Sequence, residues 1–240
     1  MDATIDEVIA EAVNAIREAK HTEQHEIEAR LGRMQDGHFI SGVNQEWFNV
    51  LLQRLELCST WSHQDAWQDS EDTTFESRGR QVRQSRVCNT KECRIEVRTI
   101  HKSRKACVCV PLGSSRGDEG QDPFHLVPTG VNMMRISYSI EAPVSRQSFP
   151  EIVYPIYVRL KQRRSFVLES SALQGASWRF DLTRTWSGKT RAEAEESQCA
   201  SPPICEVELE WIPPICATKL PVDMARSLSA SFYAKMSALI

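Results

Sequence analysis

Apolar and polar residues alternate along much of this chain, and the period of that alternation changes from one stretch to the next. Near the start, Ile5, Val8, Ile9, Ala12 and Ile16 recur at helical spacing, with Asp6 and Glu7 early and Lys20 late, as a helix dipole favours. A helix is therefore expected within residues 1–20. The stretch "HEIEARLG" (25–32) has period two instead. Glu26, Glu28 and Arg30 share one face, and Ile27, Ala29 and Leu31 share the other. Helical spacing returns in "SGVNQEWFNVLLQRLEL" (41–57), where Trp47, Leu51 and Leu55 form a face suited to packing on a sheet.

Beyond residue 58 period two dominates. "ECRIEVRTIHK" places Glu92, Arg94, Glu96, Arg98 and Lys102 on one parity. "MRISYSIE" sets Arg135, Ser137, Ser139 and Glu141 against Met134, Ile136, Tyr138 and Ile140. "YVRLKQRRSF" aligns Arg159, Lys161 and Arg163. "WRFDLTRTW" opposes Arg179, Asp181, Thr183 and Thr185 to Trp178, Phe180, Leu182 and Trp186. "CEVELEW" aligns Glu206, Glu208 and Glu210 against Val207, Leu209 and Trp211. The polar, turn-rich stretches 111–124 and 188–203 are expected to be loops. A last amphipathic helix is expected within 221–240, with Asp223 as candidate N-cap. Its Phe232, Tyr233 and Met236 either pack on the body of the protein or make a homodimer contact.

Composition changes the picture little. A chain of 240 residues, 41% hydrophobic and 25% charged, supports one large β-barrel or sandwich domain or two small ones. A net charge of −3 gives no global pull toward nucleic acid or membrane, so a charge-driven function depends on local sorting. No apolar run approaches a membrane span, and the acidic N-terminus lacks a secretory core, so a soluble intracellular protein is expected. The 8 cysteines show neither CxxC pairing nor zinc spacing and read as free thiols of a reducing compartment.

Charge sorting changes it more. A half-wet antiparallel sheet alternates in the same way, but water-facing strands tend to mix signs. Here Glu stands alone on 206–210 and dominates 26–28, whereas Arg and Lys stand alone on 159–163. The alternative is a barrel with its charges inside and its apolar faces outward under helices. Two like charges about 4 Å apart interact by roughly 4 kcal/mol at an effective dielectric near 20. The acidic rows then call for a cation and the basic rows for an anion. A divalent metal together with a polyphosphate satisfies both.

In order along the chain, "HEIEARLG", "FISGV", "RISYSIEAP", "VRLKQRRSF", "WRFDLTRTW" and "EVELEW" resemble the metal-dependent RNA 5′-triphosphatases of mRNA capping. These are the fungal, protozoan and viral type of the triphosphate tunnel metalloenzyme superfamily. The resemblance covers residues 23 to 212. It implies an α+β fold, an eight-stranded antiparallel β tunnel with a charged lumen flanked by helices, formed by 1–240 as a single domain. It implies Glu26, Glu28 and Glu210 as ligands of Mg²⁺ or Mn²⁺, with Glu206 and Glu208 on the same face, one of them positioning the attacking water. Lys161 and Arg163, with Arg159 beside them, correspond to the γ-phosphate clamp. Arg179 and Asp181 fall on the next tunnel strand, with Asp181 orienting a basic neighbour. Arg83 and Lys102 correspond to further phosphate contacts, although "RGRQVRQSR" leaves open which arginine points inward. The implied substrate is 5′-triphosphate RNA and the implied location the nucleus, though no localisation run is apparent; a capping guanylyltransferase is a candidate partner whose binding the sequence does not show.

Two other readings stay open. Tunnel enzymes acting on tripolyphosphate, thiamine triphosphate or nucleotides usually begin ExExK, where this chain has Arg30 in the third place. An inert binding domain for RNA or polyphosphate gains nothing from five aligned glutamates. The HCx₅R motif of cysteine phosphatases is absent, and "SGKT" (187–190) lacks the glycine-rich loop of a phosphate-binding P-loop.

Overall fold

The structure is a computed structural model that describes residues 4–19, 24–77, 79–89, 94–112, 131–144, 154–169, 175–214, 220 and 224–237. Eight strands close into an antiparallel barrel: β1 (Gln24–Gln35), β4 (Gln68–Ser77), β5 (Arg80–Asn89), β6 (Arg94–Pro111), β7 (Met133–Pro143), β8 (Pro155–Glu169), β9 (Ser177–Gly188) and β10 (Ile204–Ile212). Their order around the wall is β10-β9-β8-β4-β5-β6-β7-β1, and antiparallel pairing of β1 with β10 closes it, Glu28 opposite Glu210 and Arg30 opposite Glu208. Short β2 (His38–Ser41) continues from β1, and β3 (His63–Gln64) pairs with β8. The β1–β2 hairpin turns through Asp36 and Gly37, both at positive φ, the geometry that a two-residue type I′ turn requires.

The expected alternation holds, with the charged parity inside. The apolar parity of β1, β7, β9 and β10 points outward and is buried under helices. Ile27, Leu31, Ile136, Leu182, Val207 and Leu209 are all fully buried. They pack with α1 (Ile5–Glu18), α2 (Gln45–Leu57) and α4 (Met224–Ser237) in one core. In α1 a capping box joins Thr4 and Glu7, and Val8, Ile9, Ala12, Val13 and Ile16 face inward. In α4, Phe232 and Met236 are buried in this same core, Phe232 edge-on to Trp178 at 4.7 Å. These two residues are therefore not free to form a homodimer contact.

Three expectations need correction. The second helix begins at Gln45, not Ser41. Ser41 ends β2, and the Asn44 side chain caps the helix by accepting from the Trp47 backbone N–H at 2.7 Å. The stretch 188–203 is not a loop throughout, because it holds helix α3 (Arg191–Ala200), capped by Thr190. Only Ala194 of α3 is buried, so the helix has no apolar stripe by which to show itself in the sequence. β6 also runs on to Pro111, well beyond the stretch that the alternation marked out. Lys20, Glu92, Cys93, Cys216, Asp223 and most of 111–124 lie outside the described residues, as does the Tyr233 side chain. The described cysteines are free. Among the described residues no helix is long and apolar enough to cross a membrane, which says nothing of a β-barrel span.

Candidate active site

Strand alternation on a closed barrel aims one parity of every strand at a common lumen, a cavity of about 500 Å³. The residues named as the candidate site reach it or the buried wall beside it. β1 supplies Glu26, Glu28 and Arg30, and β10 supplies Glu206, Glu208 and Glu210. β8 supplies Arg159, Lys161 and Arg163, and β9 supplies Arg179 and Asp181. Arg83 of β5 points inward, which resolves the choice among its neighbouring arginines, and so does Lys102 of β6.

The basic row does not stand alone, as charge sorting by strand had suggested. Its counter-charges come from strands on either side. Lys161 pairs with Asp72 of β4, which also accepts from Arg159 at 3.4 Å and from the Ser85 hydroxyl at 2.6 Å. Arg163 donates to Asp181 at 2.9 Å and reaches Glu208 at 3.3 Å. Asp181 also accepts from Arg179 at 3.1 Å and from the Ser165 hydroxyl at 2.6 Å. These bonds hold the guanidinium of Arg163 in one orientation, the positioning role expected of Asp181. Asp72 and Glu141 were not singled out as site residues. Glu141 takes Arg83 at 2.9 Å and Arg98 at 3.3 Å. The parity of Ser137, Ser139 and Glu141 was a signal for Glu141. Asp72 offered none, because β4 is polar on both parities.

Arg30, in the third place of the first strand, bridges the two acidic rows. It donates to Glu28 at 2.9 Å, lies 3.0 Å from Glu208 and 3.9 Å from Glu206. Glu206 also accepts from the Thr185 hydroxyl at 3.1 Å, and Glu28 from the Ser137 hydroxyl at 3.1 Å. Burial pushes the Glu28 carboxyl up, but Arg30 and then Lys102 outweigh it and hold Glu28 well below the usual range. Glu26 and Glu210 go the other way. Burial and then repulsion from Glu28 push Glu26 up to about 7, although Lys102 pairs with it. Burial pushes Glu210 up to about 8; Arg179 pulls against this and Glu26 adds to it. On the basic wall, burial and then Arg159 bring Lys161 down to about 8, with Asp72 opposing. Arg163 is partly buried, which works against its charge, yet Asp181 and then Glu208 raise its pKa above the ordinary range.

Among the described residues, no three acidic, histidine or cysteine side chains converge closely enough to enclose a cation as they stand. Lys102 and Arg179 occupy the carboxylates of Glu26 and Glu210 instead. The donor chemistry nevertheless fits a hard cation. Glu26, Glu28 and Glu210 could offer three carboxylates from paired strands, and burial and mutual repulsion leave two of them short of the positive charge that would hold them ionised.

No protein-family model matches the chain, and no curated protein matches it. Solved structures do. The RNA triphosphatase Pct1 of S. pombe superposes with a TM-score of 0.62 at 18% identity, over 100% of this chain and 92% of that one. That protein has also been solved in complex with the Spt5 CTD. The Mimivirus capping enzyme triphosphatase superposes with a TM-score of 0.56 at 14% identity, over 94% of each chain. At such identities the likeness is one of fold, and the fold is the eight-stranded tunnel of these RNA triphosphatases.

Proposed function

We propose that the chain is a metal-dependent RNA 5′-triphosphatase, which removes the γ-phosphate of 5′-triphosphate RNA as the first step of capping. The observation that carries this reading is the division of one tunnel into two walls. Glu26, Glu28 and Glu210 crowd on β1 and β10, while Arg159, Lys161 and Arg163 line β8. Glu26, Glu28 and Glu210 would hold Mg²⁺ or Mn²⁺, which when bound would supply positive charge to offset that of the triphosphate.

The remaining work falls to side chains of this chain. Lys161 and Arg163 bind γ-phosphate oxygens, with Arg159, Arg179, Arg83 and Lys102 taking the rest of the triphosphate charge. Asp181 and Asp72 fix the clamp's orientation before substrate arrives, so little reorganisation is needed as charge spreads in the transition state. Glu208 already accepts from Arg30 and Arg163. Glu206, which accepts from the Thr185 hydroxyl and lies 3.9 Å from Arg30, keeps more free acceptor capacity, and we assign it the orienting of the attacking water. The buried Cys205 faces the core, and no cysteine nucleophile is required. This reading also places the chain upstream of a guanylyltransferase, in the nucleus.

Glu28→Ala tests the assignment. Losing a charge-stabilising group typically costs about 10²–10³ in rate, and a metal ligand more. The folded variant is expected to release phosphate from triphosphate RNA at least a hundredfold more slowly. Turnover near that of the parent chain would remove Glu28 from the metal site.

A further inference from the structure

Past its closed portion the sheet of the barrel continues. β10 leaves β1 at Arg30, and β2 takes its place beside Gly32–Gln35. β5 leaves β6 at Ile100, while β6 and β7 stay paired to Pro111. A four-stranded ledge results, β6-β7-β1-β2, with one face continuous with the tunnel wall. Its other face, including Leu31, Met134 and Ile136, is buried in the core.

The tunnel-side face is organised around an aromatic ring. A Cβ at Gly32 would come within 2.7 Å of the Phe39 ring and overlap the Ile40 carbonyl, so only glycine lets the ring lie close on β1. The guanidinium of Arg135 stacks on Phe39 at 4.5 Å. Arg135 stands opposite Arg30 in register, and Arg104 projects from β6 on the same face. Every tunnel base has a carboxylate partner. Arg104 and Arg135, among the described residues, have none within ion-pair distance, and the buried Nε of Arg135 has no hydrogen-bond partner. Met34, opposite Phe39 and 39% exposed, adds an accessible apolar contact.

We infer that this ledge binds the backbone of the single-stranded RNA that enters the tunnel, at phosphates beyond the first nucleotide. The inference rests on the triphosphatase reading for the identity of the chain bound. Two uncompensated guanidiniums complement phosphates, an aromatic and a thioether side chain suit an unstacked base, and the surface is continuous with the phosphate-binding lumen. The ledge thus supplies a reason for the tunnel to prefer RNA over a free nucleotide, because remote contacts help to position the reacting end.

The test compares the parent chain with Arg104→Gln/Arg135→Gln and with Arg104→Glu alone, the latter at an exposed position that packing does not constrain. Binding of a fluorescent 5′-hydroxyl single-stranded RNA is followed by anisotropy across a salt series, and steady-state phosphate release is measured on triphosphate RNA and on ATP with Mn²⁺. The double variant is expected to bind RNA about tenfold more weakly. The slope of log affinity against log salt should shrink by roughly 1.4, two contacts at about 0.7 each. KM should rise for triphosphate RNA but not for ATP. Unchanged RNA binding in both variants, or an equal rise in KM for ATP, overturns the ledge. A parent chain that binds RNA through Arg104 and Arg135 but releases no phosphate overturns the triphosphatase reading and leaves the ledge standing.

Discussion

Lys161 shows how one residue serves both the fold and the site. Its side chain is 10% exposed, and its ammonium is held by Asp72 beside Arg159. Burial and the cationic neighbours bring its pKa down to about 8. Between that value and the ordinary lysine range the native chain has lost a proton that the unfolded chain keeps, so Lys161 makes stability rise with pH there. Its effect on binding has the opposite sign, since a neutral amine no longer attracts phosphate. In the parent chain KM for the triphosphate is expected to rise as pH passes about 8. In Lys161→Ala that rise should be lost, with a higher KM at every pH. An identical pH profile in the two proteins would show that Lys161 does not bind substrate. Most site residues named from sequence, Lys161 among them, were legible because charge recurred at every second position, whereas Arg83 on polar β5 came from the family resemblance. Asp72 was not, since its neighbours Glu71 and Thr73 on the other parity are polar as well.

Legibility among the elements followed burial on the outer face. β7, β9 and β10 were readable because their outward residues sit under helices and are apolar. β4 and β5 were not, because their outward positions include Asp69, Glu71, Gln84 and Arg86. Helix α3 was hidden for a related reason, its composition being helix-forming but its only buried residue Ala194. The β1–β2 hairpin is announced by Asp36-Gly37, a turn signal separate from strand alternation. Gly32 in that hairpin is a test of packing. Gly32→Ala pushes a methyl group against the Ile40 carbonyl and the Phe39 ring, an overpacking cost of about 1–3 kcal/mol. The urea midpoint should fall accordingly, and a midpoint within error of the parent would show that Phe39 does not lie on β1.

The molecule gathers facing rows of charge in its lumen and packs its core between barrel and helices, so its stability depends on what the lumen holds. Glu26 and Glu210 carry pKa values of about 7 and 8, above those they have when unfolded. Between the ordinary carboxylate range and pH 8 the native state therefore binds protons that the unfolded state has released. Stability of the metal-free chain is expected to fall as pH rises through that window. Mn²⁺ or Mg²⁺ favours the ionised carboxylates of the folded state and should restore stability, most at the upper end. Melting curves from pH 5 to 8, with chelator and with 5 mM-scale metal (on the order of millimolar, well above the affinity expected of such a site), read this directly. A flat profile in chelator, or one that metal leaves unchanged, would place the cation elsewhere.

The central claim concerns which bond is cut. Triphosphate RNA carrying label at the γ-phosphate in one preparation and at the β-phosphate in another, incubated with the chain and Mg²⁺, decides it by thin-layer separation. The expected result is release of γ-label as inorganic phosphate, retention of β-label on an RNA 5′-diphosphate, and loss of both changes when EDTA is added. Release of pyrophosphate, retention of the γ-label with metal present, or full activity in EDTA would contradict it.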